Sequence, residues 1–584
     1  MKVIKKYSCD FETTTDEEDC RVWAVGICEI GNIENFIYYN NIKDFITWCE
    51  QNSGSLLYFH NLKFDGEFIF QYLLNNEFTW IKDKKEKKDK TFTCLISDMG
   101  MFYSIEIYFK VKGKNTEKIT IYDSLKVLNF NVKELAKNFN LPILKGEIDY
   151  KQFRSIGHNL TKEEISYLRN DVEIVARCLE YLFNENLTKM TIGSCALNWY
   201  KESFKSFEKM FPKIPYEIDQ NLRNAYKGGF TYLNPIYKEK IINEPIAVFD
   251  VNSLYPSVMY NELLPIGPPV FFTGQYEENT TFPLYIQQIS CEFKLKPGKI
   301  PTIQIKHSLH FIPNEYLESS NGEITTLYLT NIDLKLFLEH YEVDNLTYES
   351  GFMFQGMRGM FCDYIDFWKN KKNEGKKLKN KPKELIPKLM LNALYGKFSK
   401  TMKFRQKYPC LEEGIIKYKL TEEEIVDGCY LPMGIFITSY ARNKTIRSSQ
   451  KIKDYSIKKY GIDKYIYSDT DSIHTTMTDL KEISEFLEVD KYKLGAWKFE
   501  NEDNLFTRGK FLRQKCYIEE AIVYNEEKKK NEKVIFTTIA GLPKELGKNI
   551  NFKNFNTNFT CNGKLRFKHV KGGVVLVDTP FSIK

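Results

Sequence analysis

Residues 467–472 read YSDTDS at the end of an apolar run, and the carboxylates of Asp469 and Asp471 restrict what this part of the chain can become. In an extended strand, residues i and i+2 share a face, so the two negative charges would lie side by side. Charges that close repel unless a cation or a hydrogen-bond network stands between them. A polar hairpin turn accommodates the same residues, because Asp, Thr and Ser are common in turns. Taken alone, the hexapeptide leaves a metal site and a turn equally open.

The first third of the chain has a second acidic set. Asp10 and Glu12 in CDFET follow the β-prone run VIKKYSC and again share an i, i+2 face. Asp65 in HNLKFDG and Asp171 in YLRND complete it. TKEEISYLRNDVEIVARCLEYLF opens with a Thr-x-x-Glu capping box at Thr161 and Glu164, which predicts a helix with Tyr167 and Asp171 one turn apart on one face. Four such carboxylates, converging, hold two divalent cations about 3.5–4 Å apart, the arrangement that activates water in phosphodiester hydrolysis. Tyr167 would orient that water. Hard oxygen donors point to Mg²⁺ or Mn²⁺ rather than zinc. Each motif by itself also fits a solvated strand or helix face. In HNLKFDG, Asn61 and Asp65 are i, i+4 among Tyr58, His60, Phe64 and Phe68. Rings beside polar groups suit stacking on unpaired bases, although any one ring is equally at home in a core.

Further on, PIAVFDVNSLYPSVMY at 245–260 reads as an apolar strand ending at Asp250, followed by a turn presenting SLYPS. Asp250 and Asp471, at two strand ends, can jointly hold two metals around a triphosphate, with the carbonyl of Val251 as a third oxygen ligand. In ELIPKLMLNALYGKF the apolar positions recur at helical spacing, and Lys388, Asn392 and Tyr395 share a face. A lysine there pairs with phosphate, and Tyr395 closes over a nascent base pair.

At 584 residues the chain exceeds one core, and 42% hydrophobic with 15% aromatic residues argues against disorder. A net charge of +7 permits a polyanionic partner without requiring one. The thirteen cysteines are scattered, without a C-x2-C or C-x4-C pair, and only seven histidines accompany them, which disfavours a zinc finger. They read as reduced thiols in a cytosolic compartment, mostly small core residues. The start MKVIKKYSCDFETTT has no apolar leader-like core, and no uncharged run is long enough to span a bilayer, so a soluble intracellular protein is expected.

Three lysine-dense segments stand out, at 81–90, 369–383 and 525–534. The first and third read as solvated loops, whereas the middle one leads into the helix of Lys388 and offers lysines for phosphate. The first ~190 residues read as an α/β nuclease-sized unit, strand-like runs fill 245–350, 410–440 and 460–545, and no internal repeat is present.

Together, DFET, HNLKFDG, YLRND, DVNSLYPS, LMLNALYGKF and YSDTDS resemble, in order, the motifs of family B DNA polymerases with a proofreading domain. YKGGF at 226–230, TSYAR at 438–442, KCY at 515–517 and the closing GGVVLVDTPFSIK extend the resemblance to the protein-primed phage branch, the phi twenty-nine type. The resemblance covers essentially the whole chain. It implies an α/β and α+β multidomain protein, an RNase H-like 3′-5′ exonuclease joined to a right-hand polymerase with two insertions. The implied division is exonuclease 1–191, palm 192–261 and 430–541, first insertion 262–356, fingers 357–399, second insertion 400–429 and thumb 542–584. The first insertion would contact a terminal protein whose hydroxyl primes synthesis. The second would close around the template for processivity and strand displacement.

By the same resemblance, Asp250 and Asp471 are the polymerase metal ligands and Asp469 the auxiliary carboxylate. Tyr255 excludes a 2′-hydroxyl, Lys388, Asn392 and Tyr395 contact the nucleotide, and Lys515, Tyr517, Thr438 and Arg442 contact primer terminus and template. Tyr226, Gly228 and Gly229 of YKGGF join the DNA contacts. Asp10, Glu12, Asp65 and Asp171 are the exonuclease ligands, assisted by Lys145 and Tyr167. Thr13, Tyr58, His60, Asn61, Phe64, Phe68, Ser124 and Leu125 hold a frayed single strand or the priming protein. The implied cofactor is Mg²⁺, with Mn²⁺ an alternative, two ions per active site. The implied partners are template and primer DNA, deoxynucleoside triphosphates and the terminal protein, for a monomer without membrane contact in the cytoplasm of an infected bacterium.

Three departures bear on this. Pro387 precedes Lys388, so the fingers helix is expected to start near Glu384 or to kink. Glu384 stands where the branch tends to have a phosphate-binding lysine, which Lys383 or Lys377 would replace. Lys227 of YKGGF stands where arginine is commoner, keeping charge but losing the planar fork. The alternatives to this reading are a family B polymerase using an RNA or DNA primer and a catalytically silent nucleic-acid-binding protein.

Overall fold

KYSCDFET forms the strand Lys6–Thr13, buried along nearly its whole length because neighbours and helices cover it. The computed structural model describes residues 4–113, 115–305, 316–525 and 528–583. Residues 306–315 of the expected first insertion and 526–527 of the third lysine segment lie outside the described residues. Lys6–Thr13 pairs antiparallel with Val22–Glu29 and parallel with Leu56–Phe59, inside a sheet of eight strands. The helix Lys162–Asn184 packs on the first two of these strands. Its capping box is formed: Glu164 N donates to Thr161 Oγ1 at 3.2 Å, and Thr161 N donates to Glu164 Oε2 at 3.0 Å. The helix approaches so closely that a Cβ on Gly26 would sit 2.8 Å from Leu168 Cγ.

A five-stranded sheet organises the remainder, in the order Trp497–Phe499, Ala247–Val251, Ser472–Thr475, Tyr465–Asp469, Thr231–Leu233. The 30-residue helix Leu431–Tyr460 packs on it. This corrects the strand-like reading of 431–440, where an unbroken buried run, Leu431 to Ser439, hides the helical period. Pro432 in the first turn and Gly461 at φ +70° mark the two ends. A four-stranded antiparallel sheet, Leu264–Thr273, Tyr341–Met357, Leu284–Leu295 and Thr325–Thr330, lies between motifs, and a second one carries Cys516–Asn525.

The middle lysine segment is mostly helical rather than a loop. It falls in Cys362–Lys377 and in the start of Lys381–Phe398, which begins three residues before Glu384, with Asn380 as cap, and carries Pro387 inside. Proline at 387 deprives the Lys383 carbonyl of its helical donor. The partner helix packs tightly on that peptide unit, since a Cβ on Gly375 would meet Lys383 C at 2.5 Å and Lys383 O at 2.7 Å. The lysine segment at 81–90 is exposed from Lys82 onward, as expected. Nine of the thirteen cysteines are buried, and none is paired. Among the described residues no helix is long and apolar enough to cross a membrane.

Two hairpins far apart in sequence meet the N-terminal unit. In Lys407–Glu412 and Ile415–Leu420, Tyr408 stacks on Trp80 at 4.1 Å and the Tyr418 hydroxyl donates to Glu67 Oε2 at 2.7 Å. In Thr560–Val570 and Gly573–Ser582, His569 Nε2 lies 3.3 Å from the same buried Glu67 oxygen. One carboxylate therefore ties three chain segments together. Tyr418→Phe removes a donor to a buried charge and is expected to cost about 1–3 kcal/mol. The check is proteolytic cutting in 407–420, which should accelerate; an unchanged rate would show that the stacked rings alone hold the hairpin.

Candidate active sites

Asp10 and Glu12 point from one face of Lys6–Thr13 toward the helix of Asp171, and one carboxylate oxygen of each of the three lies within 4.8 Å of the others. Lys145 Nζ approaches Asp171 Oδ2 at 2.6 Å, while Asp171 Oδ1 is buried without a hydrogen-bond partner. An orphaned anionic oxygen beside two more carboxylates fits a hard divalent cation. Burial, followed by the charge of Asp171, pushes the Asp10 carboxyl up to about 7, and burial raises Glu12 and Asp65 as well. Asp65 lies outside that group of three; it accepts the Phe11 N–H at 3.2 Å, and after burial the neighbouring Asp10 charge raises its carboxyl. The Tyr167 hydroxyl lies 2.7 Å from that of Tyr150, a residue that the motifs did not single out.

The expected single-strand contacts divide by burial. Tyr58 and Phe68 are core residues, Tyr58 against Tyr122 and Phe183, Phe68 against Phe64, which corrects their reading as stacking platforms. Ser124 is fully buried, its hydroxyl donating to the Phe59 carbonyl, and Thr13 is buried too. The His60 ring bonds Ser124 Oγ at 2.9 Å and the Phe130 carbonyl at 2.6 Å, so both its nitrogens are engaged internally. Asn61 remains exposed, in the left-handed region at φ +76°, and Phe64 and Leu125 are half-buried. Asp123, missed in the sequence, accepts the backbone N–H groups of both Asn61 and Leu125 at 3.1 and 3.0 Å. Its signal is an acidic cap directly before SLK.

YSDTDS turns out to be a turn as well as a carboxylate site. Asp469 pairs with Ser472 across a tight hairpin, Thr470 has φ +61°, and Asp471 N donates to Asp469 O at 2.7 Å. This corrects the common strand face, because the turn sends the two carboxylates apart. Asp469 is engaged by Lys515 Nζ at 2.9 and 3.0 Å and by the hydroxyls of Tyr467 and Thr231, each at 3.3 Å. Asp471 faces Asp250, and Val251 N donates to Asp471 O at 2.8 Å. Burial and then Asp471 push the Asp250 carboxyl up to about 7, and burial raises Asp471.

Asp250, Val251 and Asp471 open into a cavity of 660 Å³ whose opposite wall is Lys388, Asn392 and Tyr395, one face of their helix as predicted. Tyr255 stacks on Tyr395 with ring centroids 3.9 Å apart. Four lysines join Lys388, namely Lys372 and Lys376 from the neighbouring helix together with Lys491 and Lys498, and neither of the expected Lys377 and Lys383 is among them. Lys383 faces Glu374 at 3.7 Å instead, and Glu384 reaches the cavity rim near Lys376 at 3.8 Å. Burial, then the neighbouring Lys376 and Lys388 charges, lower the Lys372 ammonium, and Glu384 partly offsets them.

The turn is fastened from two sides. Thr470 N donates to the Phe230 carbonyl at 2.7 Å, and Thr445 Oγ1 donates to the Thr470 carbonyl at 2.7 Å. A Cβ on Gly229 would lie 2.7 Å from Thr470 Oγ1, so YKGGF needs glycine there for close approach, whereas Gly228 faces open space and Tyr226 is half-buried. Arg442 is buried, donating to the carbonyls of Lys227 and Gly228 at 2.8 and 3.0 Å and to Asp333 Oδ2 at 2.6 Å. Thr438 is buried with its hydroxyl bonded to its own helix. As placed, neither side chain is open to DNA, and Arg442 supports the glycine loop instead. Tyr517 is half-buried against Phe511, and Lys515 is exposed beside Asp469.

Two outcomes follow. Asp10 holds its proton to a higher pH in the metal-free fold than in the unfolded chain, so it stabilises that fold at acid pH and this contribution is lost as pH rises through about 7. The melting temperature gained on adding Mg²⁺ over chelator should be small near about pH 5.5 and larger near about pH 8. Glu12→Gln should flatten the trend; equal gains at both pH values in the parent would rule out a carboxylate cation site. Gly229→Ala should displace the Thr470 turn and slow DNA synthesis about ten- to a hundredfold at unchanged melting temperature. Parental rates would show that Thr470 yields without moving Asp471.

The chain matches the family DNA polymerase type B, organellar and viral, over residues 46–486. It is 46% identical to the DNA polymerase of Bacillus phage M2, covering 99% of this chain and 100% of that one. It is 33% identical to the DNA polymerase of Streptococcus phage Cp-1, covering 99% and 98%. It is also similar to a solved structure of phi29 DNA polymerase complexed with primer-template DNA and incoming nucleotide substrates, with a TM-score of 0.91 and 42% identity over the full length of both chains. This chain therefore belongs to the type B DNA polymerases of the organellar and viral family, and within them to the phi29-type phage enzymes.

Proposed function

We propose that this polymerase replicates phage DNA from a terminal-protein primer, with 3′-5′ proofreading at a separate site, in the cytoplasm of an infected bacterium. The observation that carries the reading is the 660 Å³ cavity in which Asp250 and Asp471 face a lysine wall and the Tyr255–Tyr395 stack. The phi29 enzyme solved with primer-template DNA and nucleotides supports the same substrates here.

In this reading Lys372, Lys376 and Lys388 receive the triphosphate through charge-assisted contacts. Tyr255 lies under the incoming sugar, and Tyr395 parts from it to cover the base pair. Lys515 neutralises Asp469 and stands at the primer terminus. Asp250 and Asp471, with the Val251 carbonyl, would hold Mg²⁺ or Mn²⁺. Two bound ions would lower the pKa of the primer hydroxyl and neutralise the leaving pyrophosphate. At the other site, Asp10, Glu12 and Asp171 would hold a further pair, with Asp65 bracing the strand between the first two. Lys145 offsets part of the burial that raises the Asp171 carboxyl, and Tyr167, tethered by Tyr150, orients the attacking water. The division into exonuclease, palm, fingers, thumb and two insertions, and the strand-displacing role of 400–429, belong to this proposal.

The test is extension of a primed single-stranded circle with four deoxynucleotides and Mg²⁺. Products many circles long are expected from the parent chain. Asp471→Asn should lower extension at least about a hundredfold while sparing primer degradation, and Asp10→Ala with Glu12→Ala should do the reverse. Loss of both activities in each variant would refute two separate sites. Products that stop at one circle would remove strand displacement. Terminal-protein priming requires a covalent protein–nucleotide adduct in initiation mixtures.

A further inference from the structure

Asp250 has a cationic neighbour that lies outside every motif. Trp497–Phe499 is an edge strand of the five-stranded sheet, and its antiparallel pairing sets Lys498 directly opposite Asp250. On the other side Ser472 is opposite Asp250 in the same way. Directly opposed residues in an antiparallel pair project to the same face with Cβ atoms about 4.5–5.5 Å apart. The Lys498 ammonium therefore rises on the face that bears the carboxylate. Its side chain is 30% exposed, and Nζ lies 2.7 Å from Glu500 Oε1.

Lys498 and Glu500 line the same 660 Å³ cavity as Lys372, Lys376 and Lys388. They also line an adjoining cavity of 280 Å³, so Lys498 stands where the polymerase cavity opens away from the fingers helices. The Lys372, Lys376 and Lys388 wall belongs to the two fingers helices. Among the described residues Lys491 also lines both cavities, but Lys498 is the lysine that joins that place to the sheet face of Asp250. A polyanionic triphosphate seated beside Asp250 and Asp471 brings like charges together, and a fixed cation on that side offsets the repulsion.

Building on the polymerase reading above, we infer that Lys498 is a palm-side phosphate-binding residue that contacts the triphosphate of the incoming nucleotide and then the departing pyrophosphate, opposite the fingers lysines. In the nucleotide-free chain Glu500 holds the ammonium in place. On binding, Lys498 exchanges or shares that carboxylate for phosphate oxygens. A rival role is purely local, in which Lys498 only balances the charge of Asp250, toward which it already acts as a favourable neighbour.

The experiment compares the parent with Lys498→Ala, Lys498→Gln and Lys498→Arg. Nucleotide Kd is measured on primer-template ended by a dideoxynucleotide, pyrophosphate KM is measured in the reverse reaction, and melting temperature is the folding control. Lys498→Ala and Lys498→Gln should each weaken nucleotide and pyrophosphate binding about tenfold, the scale of one charge-assisted hydrogen bond, with melting temperature unchanged. Lys498→Arg should recover most of both. Nucleotide Kd and pyrophosphate KM within about twofold of the parent overturn the inference, and a fall in kcat alone assigns Lys498 to the local role. If Lys498→Ala lowers the melting temperature, Lys498→Gln decides. A parent chain that extends no primer overturns the polymerase reading instead, which separates the two failures.

Discussion

Crowding of carboxylates is the constraint on which both sites depend. Asp10, Glu12 and Asp171 meet within 4.8 Å, and Asp250 and Asp471 share one cavity. In an interior of low dielectric such groups repel and hold their protons, which is why Asp10 and Asp250 both rise to about 7. Strand pairing and hydrogen bonds hold the carboxylates in place despite this cost. The strand Lys6–Thr13 is paired on both edges, and the Asp471 turn is pinned by Phe230 and Thr445. A cluster of carboxylates held in this way is a preorganised cation site.

Cations are distributed so as to leave the reactive oxygens open. Lys145 takes one oxygen of Asp171 and leaves the other bare. Lys515 engages both oxygens of Asp469, which withdraws that carboxylate from ligation and leaves Asp471 to face Asp250. On the facing wall the balance is reversed: Lys372, Lys376 and Lys388 come together, with Glu384 beside Lys376 as their carboxylate neighbour. The two walls of the cavity are electrostatic complements awaiting a ligand that carries both metal and phosphate.

Much of the remaining architecture serves distance. Gly229 lets the YKGGF loop touch the Thr470 turn, and Gly375 lets the helices Cys362–Lys377 and Lys381–Phe398 approach at Lys383 and Glu384. Arg442 holds two carbonyls of the glycine loop from below. Glu67, two residues beyond Asp65, draws hairpins from residues 407–420 and 560–582 onto the N-terminal unit.

Local periodicity determined which residues share a face. Asp10 with Glu12 on a strand, Tyr167 with Asp171 behind a capping box, and Lys388 with Asn392 and Tyr395 on a helix are consequences of spacing and cap chemistry, and all stand as read. What covers each face was decided by tertiary structure. Tyr58, Phe68, Ser124, Thr438 and Arg442 lie in motifs that suggest contact with DNA, yet chain from elsewhere buries them. Lys372 and Lys376 enter the cavity because their helix docks against Lys381–Phe398 through Gly375, a contact invisible in a list of lysines. The first part of the long helix Leu431–Tyr460 lost its period to the unbroken burial of Leu431 to Ser439, and Asp469 and Asp471 were parted by a turn whose φ of +61° at Thr470 is held by Phe230 and Thr445. Spacing along the chain is a short-range property, whereas exposure and partner choice depend on residues hundreds of positions away.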